Sequence, residues 1–252
     1  MTTSNFTSPE GRRLAYRRND ASPGKLTFVW LSGFKSDMTG TKVKRVEAWA
    51  NQAGYGFLAF DYSGHGESAG AFEDGTVSQW RADTLAAIDS LTEGPLVLVG
   101  SSMGGWLAIL AATARPARVK GLVLIAPAPD FTQKLMWPEF APEAQAEIRD
   151  IGFTLRPSDY GEPYKITQAL IEDGRQWQVL DAPIPFPGPV RILQGMQDPD
   201  VPYAHAFRLV GTMTSDDLTF TLIKDGDHRL SREQDIARLL ATCGEIARTL
   251  GA

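Results

Sequence analysis

The sequence predicts an α/β fold, with a mostly parallel central sheet and helices on both of its faces. Strand-like and helix-like segments alternate along nearly all of the 252 residues, and this alternation is typical of a parallel sheet covered on both faces. The chain is 43% hydrophobic and 22% charged, which is the balance of a globular protein with a sizeable core. Its length suits one large α/β domain.

The predicted elements follow one another in a regular order. An early strand is predicted around Leu14 and Tyr16, where polar and apolar residues alternate, and a buried strand over 25–33. Beyond it, each predicted helix carries its apolar residues on one stripe. The remaining elements are a helix over 41–53, a strand over 56–64, a helix over 76–91, a strand and a helix over 96–109, strands over 119–127 and 189–195, a helix near His205, a strand over 218–226 and a last helix over about 236–250.

One segment, 128–188, interrupts the alternation. No convincing strand is found there, and Pro and aromatic residues accompany two short amphipathic pieces, around 143–151 and 166–177. We interpret the segment as a small helical cap, or lid, inserted into a single domain that spans 1–252. Its apolar residues are expected partly to pack onto the body and partly to line a groove: Leu135, Met136, Trp137, Phe140, Ile148, Ile151, Phe153, Leu155, Tyr164, Ile166, Leu170, Ile171 and Trp177.

Charge and hydropathy exclude several classes of protein. The formal net charge of −5 argues against a nucleic-acid-binding surface, which is basic. No apolar run approaches the roughly 18 residues of a membrane-spanning helix, so no stable membrane insertion is expected. The N-terminal segment 1–20 lacks the apolar stretch of an export signal. A cytoplasmic protein is therefore expected, and its oligomeric state is left open.

The motif that indicates chemistry is the stretch LVLVGSSMGGWLAI, residues 96–109. A short apolar run leads into Gly-x-Ser-x-Gly and a helix-compatible run follows, which predicts a sharp strand-to-helix turn with a nucleophile at Ser102. Gly100 and Gly104 leave room for that turn, which lifts the Ser102 hydroxyl off the end of the sheet. The motif alone is common by chance, but here the flanking strand and helix also match.

A serine hydroxyl needs a base to remove its proton, and the chain offers three histidines. His228 follows the final strand and precedes the final helix, where the base lies when nucleophile, acid and base occur in that chain order. His65 follows a strand upstream of the serine and is expected to hold a turn by hydrogen bonding. His205 lies at the start of a helix, off its apolar stripe, and is expected to be solvated.

The base in turn needs a carboxylate that fixes its tautomer. Asp198 and Asp200 both follow the strand VRILQ, and Asp198 is nearer to the strand end. We assign Asp198 as the acid and interpret Asp200 as shaping the turn or as solvated. Asp130 follows an earlier strand and stays open as a remote alternative. The acidic residues beside the base in sequence are interpreted as turn residues: Asp225 and Asp227.

Acyl transfer places negative charge on the former carbonyl oxygen, so two N–H donors are expected to face it. One is the backbone N–H of Met103, at the start of the helix after the nucleophile. The other is the backbone N–H of Phe34, in the loop after KLTFVWLSG. Trp106, one turn into the same helix, is expected to pack rather than to catalyse.

No metal or cofactor site is predicted. Three scattered histidines and one cysteine form no ligand cluster, and the glycines near Ser102 form neither G-x-G-x-x-G nor a P-loop. Cys243 lies on the apolar stripe of the last helix, so it is expected to be a buried structural thiol.

Five motifs together carry a family resemblance: LSGFKSDMTGTK, FDYSGHGES, LVGSSMGGWL, ILQGMQDPDVP and GDHRLSREQDI. They resemble the α/β-hydrolase-domain proteins of the mitochondrial palmitoyl-protein thioesterase type, over about Leu31 to Ile236. The resemblance implies the α/β-hydrolase fold, with Ser102 as nucleophile, Asp198 as acid and His228 as base. It also implies hydrolysis of acyl thioesters or esters without a cofactor. The mitochondrial address is not carried over, because no transit peptide is recognised.

The sequence therefore predicts a serine acyl hydrolase that works through an acyl-enzyme, on an ester or thioester of a small molecule or an acylated protein. One alternative is a carboxylesterase or lipase-like enzyme for short or acyl-sugar esters. A remote alternative is an inactive, hydrolase-like binding protein, which the intact Ser102, Asp198 and His228 make a poor explanation.

Overall fold

A computed structural model of the chain describes residues 2–158 and 161–251. Its strands are β1 (Ser4–Thr7), β2 (Arg13–Asn19), β3 (Thr27–Leu31), β4 (Gly56–Phe60), β5 (Leu96–Ser101), β6 (Val119–Ile125), β7 (Phe153–Ser158), β8 (Gly161–Thr167), β9 (Val190–Gly195) and β10 (Leu218–Ile223). Eight of them form one sheet in the order β1-β2-β4-β3-β5-β6-β9-β10. The strands from β4 to β10 in that order pair in parallel, and β2 pairs antiparallel with both β1 and β4. The predicted fold class is confirmed.

The helices cover both faces of this sheet, as the sequence predicts. They are α1 (Thr41–Gln52), α2 (Val77–Leu91), α3 (Met103–Ala114), α4 (Trp137–Glu139), α5 (Pro142–Ile151), α6 (Gln168–Gly174), α7 (Tyr203–Thr212) and α8 (Glu233–Thr249). One core packs α2, α3 and the segment 128–188 on one face, and a second core packs α1 and α8 on the other. Cys243 is buried in that second core, and burial raises the pKa of its thiol to about 12. None of the helices in the described residues is long and apolar enough to cross a membrane.

The segment 128–188 contains a hairpin that the sequence does not predict. Its strands β7 and β8 pair antiparallel, so the expectation that no strand occurs there is wrong. Gly152 ends α5 in a left-handed conformation, with φ 88°, and the chain then alternates: Thr154 and Ile166 are buried while Leu155 is exposed. Because Ile166 belongs to β8, the predicted piece 166–177 becomes helical only at Gln168, the first residue of α6.

Polar contacts hold this segment together and tie it to the body. The buried carboxylate of Asp130, just after β6, accepts the N–H groups of Val179 at 2.7 Å and Leu180 at 3.1 Å. The Asp173 carboxylate of α6 accepts the backbone N–H of Ser78, in the first turn of α2, at 2.7 Å. A carboxylate there faces the positive end of the helix dipole. Asp130 therefore joins the two ends of the segment, and Asp173 ties it to α2 of the body.

Candidate active site

Ser102 occupies a strained turn between β5 and α3, as the motif predicts. Its backbone is at φ 55° and ψ −119°, a conformation that L-residues rarely adopt. The turn requires the two flanking glycines, because a Cβ on Gly100 would collide with the Gly104 carbonyl, and a Cβ on Gly104 with the Leu31 carbonyl. The serine is thus held at the carboxyl end of a central strand.

The imidazole of His228 lies between Ser102 and Asp198. Its Nε2 is 3.1 Å from the Ser102 Oγ, and its Nδ1 is 2.8 Å from the Asp198 Oδ2. His228 lies in the loop between β10 and α8, where the Lys42 ammonium of α1 donates to the carbonyl of Arg229. Burial lowers the pKa of the Lys42 ammonium to about 8. The two hydrogen bonds of the His228 ring join Ser102, His228 and Asp198, the side chains that the sequence selects, into one hydrogen-bonded chain.

The side chain of Asp198 is fully buried, and each of its two carboxylate oxygens has two hydrogen-bond partners. Its Oδ1 accepts the backbone N–H groups of Asp200 at 2.9 Å and Val201 at 2.8 Å. Its Oδ2 accepts the side-chain amide of Gln194 at 3.0 Å, in addition to His228. The carboxylate of Asp200 is exposed, as one of the two sequence interpretations expects. Gln194 was missed by the sequence reasoning, although a polar residue within the buried strand VRILQ is the signal that could have found it.

The other candidate acids lie outside this chain of hydrogen bonds. Asp130 holds the backbone of Val179 and Leu180 within the segment 128–188, and burial is the main cause of its raised pKa. Asp227 accepts the backbone N–H of Leu230 at 2.8 Å, and Asp225 pairs with Arg232 at 2.8 Å. Both therefore shape the loop around His228, which matches their interpretation as turn residues.

The sequence predicts the surroundings of His65 correctly but not those of His205. His65 is buried and hydrogen-bonded in its turn, as expected, with contacts to Ser63 and Lys35. His205 is also buried, so the expectation that it is solvated is wrong. Its Nε2 lies 2.7 Å from the carbonyl of Pro129, in the loop after β6. His205 is buried because α7 packs against the loop after β6. The apolar stripe of α7 gives no indication of this contact.

Two backbone segments flank the Ser102 hydroxyl. Met103 is the first residue of α3, where N–H groups have no acceptor within the helix. On the other side, Gly33 to Ser36 form a turn closed by a 3.1 Å backbone hydrogen bond. A Cβ on Gly33 would lie 3.3 Å from the Ser102 Cβ, so this turn, which includes Phe34, packs directly against the serine. Both predicted oxyanion segments are thus adjacent to the serine.

Backbone strain is concentrated around this site. The non-glycine residues with positive φ among those described are Lys35, Ser102, Ala126, Asp130 and Leu230. All of them lie in loops that follow β3, β5, β6 or β10 at the carboxyl edge of the sheet. Each such conformation costs on the order of 1 kcal/mol or more. A cluster of strained residues at one edge of the sheet is therefore typical of a functional site.

Within the described ranges, one group of carboxylate and imidazole atoms is close enough to hold a metal ion. It consists of Asp198, Asp200 and His228, whose ligand atoms lie within 4.8 Å of one another. Both ring nitrogens of His228 already have partners in Asp198 and Ser102. A metal ion bound there would therefore break the hydrogen-bonded chain.

Comparison with known proteins decides the family. A sequence model of the alpha/beta hydrolase family matches residues 28–242. The chain belongs to this family. It is therefore an ester or thioester hydrolase, as the sequence predicts, and its relatives confirm the resemblance inferred from the motifs.

Its relatives agree in sequence and in structure. The mitochondrial palmitoyl-protein thioesterase ABHD10 of Bos taurus is 39% identical over 243 residues, covering 94% of this chain and 78% of the relative. A hydrolase from Agrobacterium vitis S4 has a TM-score of 0.93 at 44% identity, and covers 98% of each chain. Alpha/beta hydrolase domain-containing protein 10 from mouse has a TM-score of 0.90 at 35% identity, covering 99% of this chain and all of its own.

The comparison also corrects the expected location. Five curated relatives that share the ABHD10 name are mitochondrial, so the expectation of a cytoplasmic protein is contradicted. The expectation was based on the lack of a recognisable export or transit signal in residues 1–20, and the lack of such a signal does not identify a compartment.

Proposed function

We propose that this α/β-hydrolase is a serine acyl hydrolase that cleaves thioesters or esters through an acyl-enzyme on Ser102. The observation that supports it best is the unbroken hydrogen-bonded chain from the Ser102 hydroxyl through His228 to Asp198. The Nε2 atom of His228 is within reach of the Ser102 hydroxyl proton, and the buried Asp198 carboxylate accepts a hydrogen bond from the other ring nitrogen. This is the arrangement that nucleophilic acyl transfer needs.

In the acylation half of the reaction, His228 Nε2 takes the proton of Ser102 Oγ as the oxygen attacks the acyl carbonyl carbon. The carbonyl π electrons move onto oxygen, and the N–H groups of Phe34 and Met103 donate to the resulting oxyanion. When the carbonyl re-forms, the bond to the thiol or alcohol breaks. The proton on Nε2 then passes to that leaving group, and the acyl group stays on Ser102.

Deacylation repeats the same steps with water as nucleophile. His228 takes a proton from water, the hydroxide attacks the ester on Ser102, and the proton returns to Ser102 Oγ as the carboxylic acid leaves. Asp198 accepts the Nδ1–H throughout, so the ring keeps Nε2 free as a base and its transient positive charge has a buried counter-ion.

The substrate class is inferred from the relatives and from the segment 128–188, which we propose acts as a cap. Much of its apolar surface packs on the body: Met136, Ile148, Ile166, Leu170 and Ile171 are buried in the core. Met136, Phe140, Thr154 and Leu155, together with the charged residues Glu139 and Arg156, line a cleft of about 260 Å³ within this segment, slightly below the usual size of a ligand pocket. Together with similarity to palmitoyl-protein thioesterases, this supports an acyl chain of several carbons, on a small molecule or a protein.

The proposed acyl-chain preference is based on the similarity to palmitoyl-protein thioesterases and on the apolar residues of the cap. We expect kcat/KM to rise with acyl length over several carbons, because each buried methylene contributes about 0.8 kcal/mol, or nearly fourfold. Thioesters are expected to be cleaved at least as readily as oxyesters of the same acyl group. A matched series of thioesters and oxyesters from acetyl upward measures both. A flat profile, or one with acetyl esters best, would support the short-ester enzyme instead.

The mechanism uses no metal, because both His228 nitrogens are committed to hydrogen bonds. We expect kcat/KM to be unchanged after dialysis against EDTA, measured on the same enzyme before and after treatment. Loss of activity that added metal restores would contradict the proposed mechanism.

A fluorophosphonate probe tests whether the serine is activated at all. We expect it to label Ser102, as identified by mass spectrometry of the digested protein, and to abolish turnover in proportion to labelling. An unlabelled Ser102 in folded protein would show that the chain is an inactive, hydrolase-like binding protein.

A further inference from the structure

We propose that His65 is a positioning residue that orients the oxyanion loop, Gly33 to Ser36, for the reaction at Ser102. This inference rests on the proposed function, since an oxyanion loop matters only if an oxyanion forms. It concerns a side chain that belongs neither to the hydrogen-bonded chain of Ser102 nor to its predicted donors. The argument depends on which atoms His65 contacts and on what those contacts fix.

The contacts of His65 determine its protonation state. The backbone N–H of Lys35 lies 3.2 Å from Nε2, and the carbonyl of Ser63 lies 3.2 Å from Nδ1. A backbone N–H can only donate and a carbonyl can only accept, so the ring is neutral with its proton on Nδ1. His65 therefore supplies the acceptor that the Lys35 N–H needs.

Aromatic rings hold this imidazole in place. The rings of Tyr62, Phe72 and Trp80 meet it edge to face, with centroids 5.2 to 5.5 Å away. Phe72 and Trp80 also contact the ring of Phe34, at 4.9 and 5.8 Å. Burial lowers the pKa of His65 to about 4, so Nε2 remains an acceptor at neutral pH.

The oxyanion loop is held on both sides of Phe34, by Ser102 at Gly33 and by His65 at Lys35. Gly33 lies against Ser102, where even a Cβ would come within 3.3 Å of the Ser102 Cβ. Lys35 is held at φ 57°, and its N–H is engaged by His65. Phe34 lies between these two fixed points, so the direction of its N–H follows from them. Without the His65 acceptor, the Lys35 N–H loses its partner, and we expect the direction of the Phe34 N–H to be less precisely fixed.

Three substitutions separate this role from simple packing. His65→Gln places its Oε1 where Nε2 lies and keeps an acceptor for Lys35. His65→Asn reaches only as far as Nδ1, and so keeps the contact with Ser63 but loses the acceptor. His65→Phe fills the aromatic surroundings with no acceptor at all. His205→Gln is the matched control, because His205 is another buried histidine and contacts the Pro129 carbonyl.

We expect Asn and Phe at position 65 to lower kcat by roughly 10- to 100-fold with KM changed by no more than a few-fold. An oxyanion donor acts in the transition state, and complete loss of one costs roughly 10² to 10³ in kcat. The Gln variant is expected to lose only a few-fold. Rates are expressed per active site titrated with a fluorophosphonate, so a partly unfolded sample does not imitate the effect.

A second readout follows the oxyanion itself. A trifluoromethyl ketone bearing the acyl chain of the substrate forms a tetrahedral adduct with serine, and its affinity is expected to fall in parallel with kcat/KM in the Asn and Phe variants. The His205→Gln control is expected to lower the thermal midpoint without changing kcat or this affinity.

Normal kcat per titrated site in the Asn and Phe variants would overturn the proposal, as would a Gln variant as slow as the Asn variant. Failure of the proposed function is recognised separately, because the wild-type protein would then show no turnover and no labelling of Ser102, or Ser102→Ala would retain turnover. An inactive Ser102→Ala together with a fully active His65→Asn would overturn the role of His65 alone.

Discussion

Replacement of Ser102 by Ala is expected to lower kcat by on the order of 10⁴-fold or more, because the covalent route disappears. The residual rate would come from His228, the oxyanion donors and substrate binding, which remain in place. KM is expected to change little, since the lost bond forms only during the reaction. Steady-state kinetics with a thioester of several carbons measures the loss.

The control for this variant lies next to it in the sequence. Ser101 ends β5 and is half-buried, but it has no contact with His228 among those described. We expect Ser101→Ala to keep kcat within a few-fold, and Ser102→Ala to keep the wild-type thermal midpoint, because Ala carries the same φ of 55° at similar cost. Turnover by Ser102→Ala at a tenth of the normal rate or more would contradict the assignment of the nucleophile.

Asp198→Asn is expected to lower kcat by on the order of 10³- to 10⁴-fold. An amide can present N–H rather than oxygen to His228 Nδ1, which favours the tautomer with a proton on Nε2. That tautomer cannot accept the Ser102 proton. The neutral amide also removes the buried counter-ion of the imidazolium formed during the reaction. Steady-state kcat, corrected for folded protein by circular dichroism, measures the effect.

Two other aspartates provide controls for the acid. Asp200→Asn is expected to change kcat by a few-fold at most, because its backbone N–H, rather than its side chain, contacts Asp198. Asp130→Asn is expected to lower the thermal midpoint, since it weakens the contacts to Val179 and Leu180, with a smaller effect on kcat. A loss at Asp200 or Asp130 equal to that at Asp198 would show that the acid is wrongly assigned.

The sequence predicts the sheet and the candidate site because local patterns determine both. A buried strand such as β4, with the sequence GFLAF, is an unbroken apolar run, and the glycines around Ser102 leave room for a sharp turn. Parallel strands bring their carboxyl ends to one edge, so residues after β5, β9 and β10 meet there whatever their separation in the chain. Ser102, Asp198 and His228 could therefore be proposed from the Gly-x-Ser-x-Gly motif, the predicted strand ends and the chain order together.

Features that depend on contacts between distant segments could not be predicted in this way. His205 is buried by the loop after β6, which its own helix does not indicate. The hairpin β7–β8 is short and partly exposed, so its alternation is weak against the neighbouring helical pattern. The contact between Lys42 and the Arg229 carbonyl joins residues 187 positions apart, and no pattern within either segment indicates it.

Intact-protein and peptide mass spectrometry during the first turnover test the central claim most directly. With a p-nitrophenyl ester of several carbons, we expect nitrophenol, a good leaving group, to be released faster than the acyl group is hydrolysed from Ser102, so the intermediate should accumulate before an acid quench. We predict a burst of nitrophenol and one acyl group on the peptide that contains Ser102, with neither in Ser102→Ala. A burst that persists in Ser102→Ala, or an acyl group on a different peptide, would contradict the proposed mechanism.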